Sequence, residues 1–210
     1  MMVHTQPREG STKRTPLVKG PGSTHAGVTW QVRSLLSRGD ASAATQAALA
    51  EYGAELFGFL IATVDDQDVA RIVYAEVRRR AEAEISEFTW ACTLRVWLYS
   101  LARGELRERR RRRRGLGASG PALPIVTVPP ETVEMSTAAV SLRKALPEED
   151  REILILGVDR GFDGSELAWA SLGDRASDDA LRTEAQRLGV RVAELLAQLE
   201  AALRRHGRQR

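Results

Sequence analysis

The chain has 210 residues, 43% of them hydrophobic and 28% charged, with a formal net charge of +3. That composition suits one globular domain or two small ones, and it forces neither disorder nor residence in a membrane. Charge placement is uneven: from Arg103 to Arg114 eight arginines stand against two glutamates, a local +6 that leaves the remainder at −3. Such asymmetry marks a contact with nucleic acid or another anionic surface.

Residues 1–28 are rich in Gly, Pro, Ser, Thr and Lys without periodicity, so they are expected to form a flexible tail. The basic residues Arg8, Lys13, Arg14 and Lys19 precede no apolar core of signal-peptide length, and no membrane-length apolar run is expected anywhere. Cys92 is the only cysteine, which excludes an intramolecular disulfide, and its apolar neighbours Trp90, Leu94 and Val96 predict a packed thiol. Both features point to the cytoplasm, with no membrane insertion.

A first long helix follows Asp40 or Ser42 as cap, with Leu49, Tyr52, Leu56, Phe59, Leu60 and Thr63 along one face. After a turn at Asp65 and Asp66, Val69, Ile72, Val73 and Val77 repeat the pattern. A third helix carries Leu94, Trp97, Leu98, Leu101 and Ala102 at i, i+3, i+4, i+7 and i+8, then runs into Arg109, Arg110, Arg111, Arg112, Arg113 and Arg114. Its apolar face requires burial. Its arginines cannot be neutralised by deprotonation and require a counter-anion.

Residues 115–135 hold four prolines and three glycines, which break helices and predict a linker between residues 29–114 and residues 136–210. The second block opens with Leu142 and Leu146; Pro147, Glu148 and Glu149 then start a helix whose apolar face is Ile153, Leu154 and Leu156. The last stretch reads as a helix, a corner at Gly189 and a long helix through Val192, Leu195, Leu196, Leu199 and Leu203, which is helix-turn-helix spacing; Gly173 is the alternative corner. The expected class is all-α, as two small helical domains.

Catalytic chemistry is not legible. His4, His25 and His206 lie near the ends, far from Cys92 and from any paired carboxylates, and no metal, triad or phosphate-loop spacing emerges. The expectation is a protein without cofactor or enzymatic activity.

In this order, EYGAELFGFL, CTLRVWLYSLARGELRERRRRRR, a linker and LRKALPEEDREILILGVDRGFDGSELA resemble bacterial RNA polymerase sigma factors of the extracytoplasmic-function group, over about Leu49 to Arg205. Arg95, Trp97, Leu98, Tyr99, Ala102 and Arg103 carry the closest match. The resemblance implies a three-helix domain two that docks on the polymerase clamp and captures the opened −10 strand. It also implies a helix-turn-helix domain four that reads −35 duplex. Implied clamp contacts are Asp68, Ile72, Val73 and Glu76, on a helix with Ala70, Arg71 and Ala75 where the family places acids. Nucleic-acid contacts fall to Arg95, Arg103, Arg107 and Arg109 to Arg114, and to Arg191, Gln198, Arg204 and Arg205 in the last helix. Expected partners are core polymerase, promoter DNA and an anti-sigma protein.

Two other functions fit the residues. One is a sigma-like interaction protein that binds polymerase or a regulator without initiating, which the altered clamp helix and the acids Glu194 and Glu200 of the last helix favour. The other is an RNA-binding protein whose arginine run contacts folded RNA.

Overall fold

The computed structural model describes residues 24–115 and 135–207, and within them every element is helical. In chain order they are α1 (Thr24–Leu36), α2 (Ala41–Val64), α3 (Gln67–Glu84), α4 (Leu94–Gly115), α5 (Met135–Ala145), α6 (Glu148–Leu154), α7 (Gly164–Leu172) and α8 (Asp178–Gly207). A 3₁₀ turn, Ile85–Glu87, closes α3, and a π turn, Ile155–Asp159, extends α6. The all-α class expected above is the observed one. Most of the expected linker, residues 116–134, lies outside the described residues, as do residues 1–23 of the expected tail.

That tail is shorter than expected, because helix begins at Thr24 and not after residue 28. Val28 and Val32 of α1 are buried against α2, and Leu35 and Leu36 pack partly into the same core. The i, i+4, i+7, i+8 spacing of these four residues is a helix signal masked by the polar stretch before it.

Caps set the next two helices. The Asp40 carboxylate accepts from the Ala43 amide at 2.9 Å and starts α2; Asp65, at φ 54°, ends it. Asp66 then accepts from the amides of Asp68 and Val69, both at 3.0 Å, and starts α3. On α2 Tyr52, Leu56, Phe59, Leu60 and Thr63 are buried as the periodicity requires, and the Thr63 hydroxyl satisfies itself on the Phe59 carbonyl at 2.8 Å. Against the expectation of no membrane-length apolar run, α2 holds an 18-residue window of mean hydropathy 1.4. Its apolarity serves packing, since α1, α3 and α4 all lie against it. On α3 the buried face is Ala70, Val73, Val77 and Ala81, whereas Ile72, expected on that face, is 61% exposed. Ala70 and Val73 draw α3 in by one position, which turns Ile72 outward.

The central element is α4, packed on α2, α3 and α7. Leu94, Trp97, Leu98, Leu101 and Ala102 are buried, and so are Val96, Tyr99 and Leu106. Tyr99 explains the wider burial: its ring meets Phe59 of α2 at 5.2 Å and Phe162, just before α7, at 5.1 Å, both edge to face. Ile153, Leu154, Leu156, Phe162 and Leu167 therefore share one buried cluster with Leu56, Leu60, Trp97 and Leu98. Polar ties reinforce it. Arg151 donates to the carbonyls of Thr63 at 2.8 Å and Lys144 at 2.7 Å, fastening α6 to the end of α2.

At the C-terminus the corner is Gly173, not Gly189. Gly173 takes φ +84°, caps α7 and leads through Ser177 into α8, while Gly189 lies inside an unbroken helix. A φ of that sign favours glycine, and Gly189 has no comparable need. At the entry to α7, a Cβ on Gly164 would stand 3.1 Å from the Ala185 carbonyl, so glycine there permits the close crossing of α7 and α8.

Candidate nucleic-acid interface

Of the arginines expected to contact nucleic acid, the inner ones are engaged within the fold. Arg95 pairs with Glu55 and donates to the Arg160 carbonyl at 3.1 Å. Burial opposes the Arg95 charge, but the hydrogen bond and the negative charge of Glu55 together with nearby Tyr99 and Glu166 outweigh it and lift the pKa above its usual value. Burial likewise pushes the Glu55 carboxyl upward, and the same contact with Arg95 overrides that push and holds it below the ordinary carboxylate range.

Arg103 is 3% exposed and donates from Nε to Glu152 at 3.1 Å. Arg107 donates to the Ser171 carbonyl at 2.7 Å. Its partial burial, then the like charges of Arg103 and Arg110, lower its pKa. Arg110 bridges Glu152 and, at 3.3 Å, Glu148. These three residues thus join α4 to α6 and α7; Arg103 and Arg110 are withdrawn from solvent, against the expectation from sequence, while Arg107 stays exposed.

The outer end differs. Arg111, Arg112, Arg113 and Arg114 are exposed at the last turn of α4; Arg111 and Arg112 pair with Glu108, and Arg109 is half-buried. Cations at a helix C-terminus also complement its dipole. The site is thereby divided: a solvated basic tip and an arginine face covered by carboxylates.

Sequence reasoning misses those carboxylates. Glu148 reads only as a first-turn acid, yet it also reaches Arg110. Glu152 is fully buried, yet in sequence it closes the charged stretch Glu148 to Glu152 and carries no local signal that sets it apart.

The helical hairpin α7 to α8 opens with a capping box, Asp163 accepting from the Glu166 amide at 2.8 Å and Glu166 returning the bond at 3.2 Å. With the corner at Gly173, the exposed first turns of α8 carry Asp178, Asp179, Arg182, Thr183, Gln186 and Arg187. Arg191 and Gln198 consequently lie further along than a corner at Gly189 implies. Arg191 is held by Asp150 at 2.6 Å and by Glu194 at 3.0 Å, and the Asp150 hydrogen bond raises its pKa. Gln198 is exposed, Arg204 pairs with Glu200 at 3.1 Å, and the Arg205 side chain lies outside the described residues. Two acids, Asp178 and Asp179, precede two cations, Arg182 and Arg187, on this exposed face, and Arg182 is already paired with Asp179 at 3.0 Å.

On the expected clamp surface Asp68, Ile72 and Glu76 are exposed, the acids pairing with Arg71 at 2.8 Å and Arg79 at 2.9 Å. Val73 is 4% exposed and belongs to the core, so it drops out of that surface. Among the described residues no group of three or more His, Cys, Asp or Glu is placed to hold a metal ion.

Comparison with known proteins finds no matching family model and no matching curated protein.

Proposed function

We propose that this protein is a divergent sigma factor of the extracytoplasmic-function type, a non-enzymatic cytoplasmic protein that joins core RNA polymerase and directs it to promoters. Residues 29–114 act as the domain-two-like unit and residues 136–210 as the domain-four-like unit, with 115–135 between them. The observation that carries the reading is α4: LRVWLYSLAR is buried in the bundle and continues without a break into the exposed arginines 111–114. An anchored helix that projects fixed cations suits phosphate contacts, which supply affinity and orientation without reading sequence. The outer face of α3, with Asp68, Ile72 and Glu76, serves as the clamp contact. The α7 to α8 hairpin faces duplex DNA, and an anti-sigma protein is a further partner.

A second reading has its own support. Arg95, Arg103, Arg107, Arg110 and Arg191 all have internal acceptors, and Asp178 and Asp179 open α8; both facts favour a sigma-like protein that binds polymerase or a regulator without initiating. One experiment separates the readings. Full-length protein is mixed with core polymerase and ribosomes, and capture by each and promoter-directed run-off transcription are measured together. Capture with transcripts supports initiation, capture without transcripts supports the interaction protein, and recovery with ribosomes instead of polymerase overturns both in favour of RNA binding.

A further inference from the structure

Arg103, Arg107, Arg110 and Arg114 stand at i, i+4, i+7 and i+11 of α4 and therefore form one narrow stripe along the helix. Carboxylate cover along that stripe falls on Arg103 and Arg110. Arg103 and Glu152 are 3% and 0% exposed at its inner end and Arg110 and Glu148 are 15% and 24% exposed nearer the tip, whereas Arg107 between them is exposed and meets a carbonyl, that of Ser171. Beyond them Arg114 is exposed, one turn past Arg110 and in line with it. The stripe runs on past the point where α6 stops covering it.

Carboxylate and phosphate oxygens accept from guanidinium in the same charge-assisted geometry. Glu148 and Glu152 thus hold the donors that a nucleic-acid backbone would seek, and the Ser171 carbonyl holds a third at Arg107. A polyanion seated on the tip lies next to the rim pair, which is the most accessible and so the first to exchange. Opposite charges at the rim also confine early binding to the tip.

Resting on the nucleic-acid contact proposed above, we infer that α6 is a carboxylate cover over a polyanion track on α4, and that nucleic acid bound at Arg111 to Arg114 displaces Glu148 and then Glu152 from Arg110 and loosens α6 from α4. Glu148 and Glu152 are then the residues that set how much of the stripe a nucleic acid can use. The cover is anchored elsewhere by contacts that do not involve the stripe. Asp150 takes two bonds from Arg191 of α8, at 2.9 and 2.6 Å, and Arg151 reaches the Thr63 carbonyl. Loosening at Glu148 therefore leaves α6 attached to α8 and α2.

The test uses the full-length protein and a mixed-sequence single-stranded DNA of about 20 nucleotides, with affinity read by fluorescence anisotropy over a salt series. Glu148→Gln is expected to bind about 3- to 10-fold more tightly than the wild type, the effect of removing one partly exposed ion pair from the covered state. Its salt dependence should steepen as Arg110 joins the contact. Independently of any variant, amide exchange in residues 148–154 of the wild type should rise when DNA is added. Equal affinity of E148Q and unchanged exchange in 148–154, with binding abolished by glutamine at 111–114, would overturn the cover while leaving the backbone contact at the tip intact. Absence of binding by both wild type and E148Q would overturn the cover together with the nucleic-acid reading.

Discussion

Arg103 of α4 and Glu152 of α6 are 49 positions apart in sequence, yet their side chains meet at 3.1 Å with 3% and 0% of their surfaces exposed. The Nη1 atom of Arg103 has no hydrogen-bond partner among the described residues. Desolvation is therefore only partly offset. Glu152→Leu alone should destabilise the protein by about 3–5 kcal/mol, because it leaves Arg103 buried and unpaired, and Arg103→Met by less, because Glu152 keeps its pair with Arg110. The double variant should recover most of that loss. Urea unfolding of the four proteins measures the coupling, and strictly additive losses would contradict this account of the pair.

The exposed tip behaves differently. Glutamine at positions 111, 112, 113 and 114 keeps good helix propensity and touches none of the α4 core, so circular dichroism and the urea midpoint should barely change. Nucleic-acid affinity should fall similarly for all sequences. The slope of log affinity against log salt should flatten by about 0.7 for each single-strand phosphate no longer neutralised. An unchanged slope would make the tip a solvated helix end.

Glu55 predicts how stability responds to acid. Its folded-state pKa lies below the ordinary value because Arg95 overcomes the cost of burial. A depressed carboxylate contributes stability that is present above its unfolded value, about 4.3, and is lost as pH falls through the lower folded value. Glu55→Gln should thus destabilise at pH 7 by about 1–2 kcal/mol. Its disadvantage should shrink toward pH 3, and urea midpoints of both proteins from pH 7 to pH 3 test this.

Cys92 gives a chemical check on the core. Burial, and then the Asp174 carboxylate, push its thiol up to about 12. The nucleophilic thiolate is scarce at pH 8 in the folded protein and ordinary in the unfolded chain. Alkylation by iodoacetamide should be slower in the native state by at least about 100-fold, rising to the free-thiol rate in urea. Fast native labelling would show that the loop before α4 opens readily.

How much of this was legible in the chain depends on range. Asp40, Asp66 and the apolar positions of α2 and α4 act on neighbours within four residues, so periodicity and capping chemistry locate those helices and most of their buried faces. Gly173 and Gly189 look alike in a one-dimensional reading, and only the backbone path, φ +84° at the first and unbroken helix at the second, separates them. The arginine stripe shows the same limit in electrostatic terms. Its charge and spacing are local and readable, and they identify α4 as the basic element. Which arginines meet solvent depends on Glu148, Glu152 and Ser171, brought there by the packing of α6 and α7 around Tyr99 and Phe162. A buried cation must find an acceptor, but pairings across 38 to 64 residues are chosen by the shape of the assembled core, and no local pattern encodes that shape.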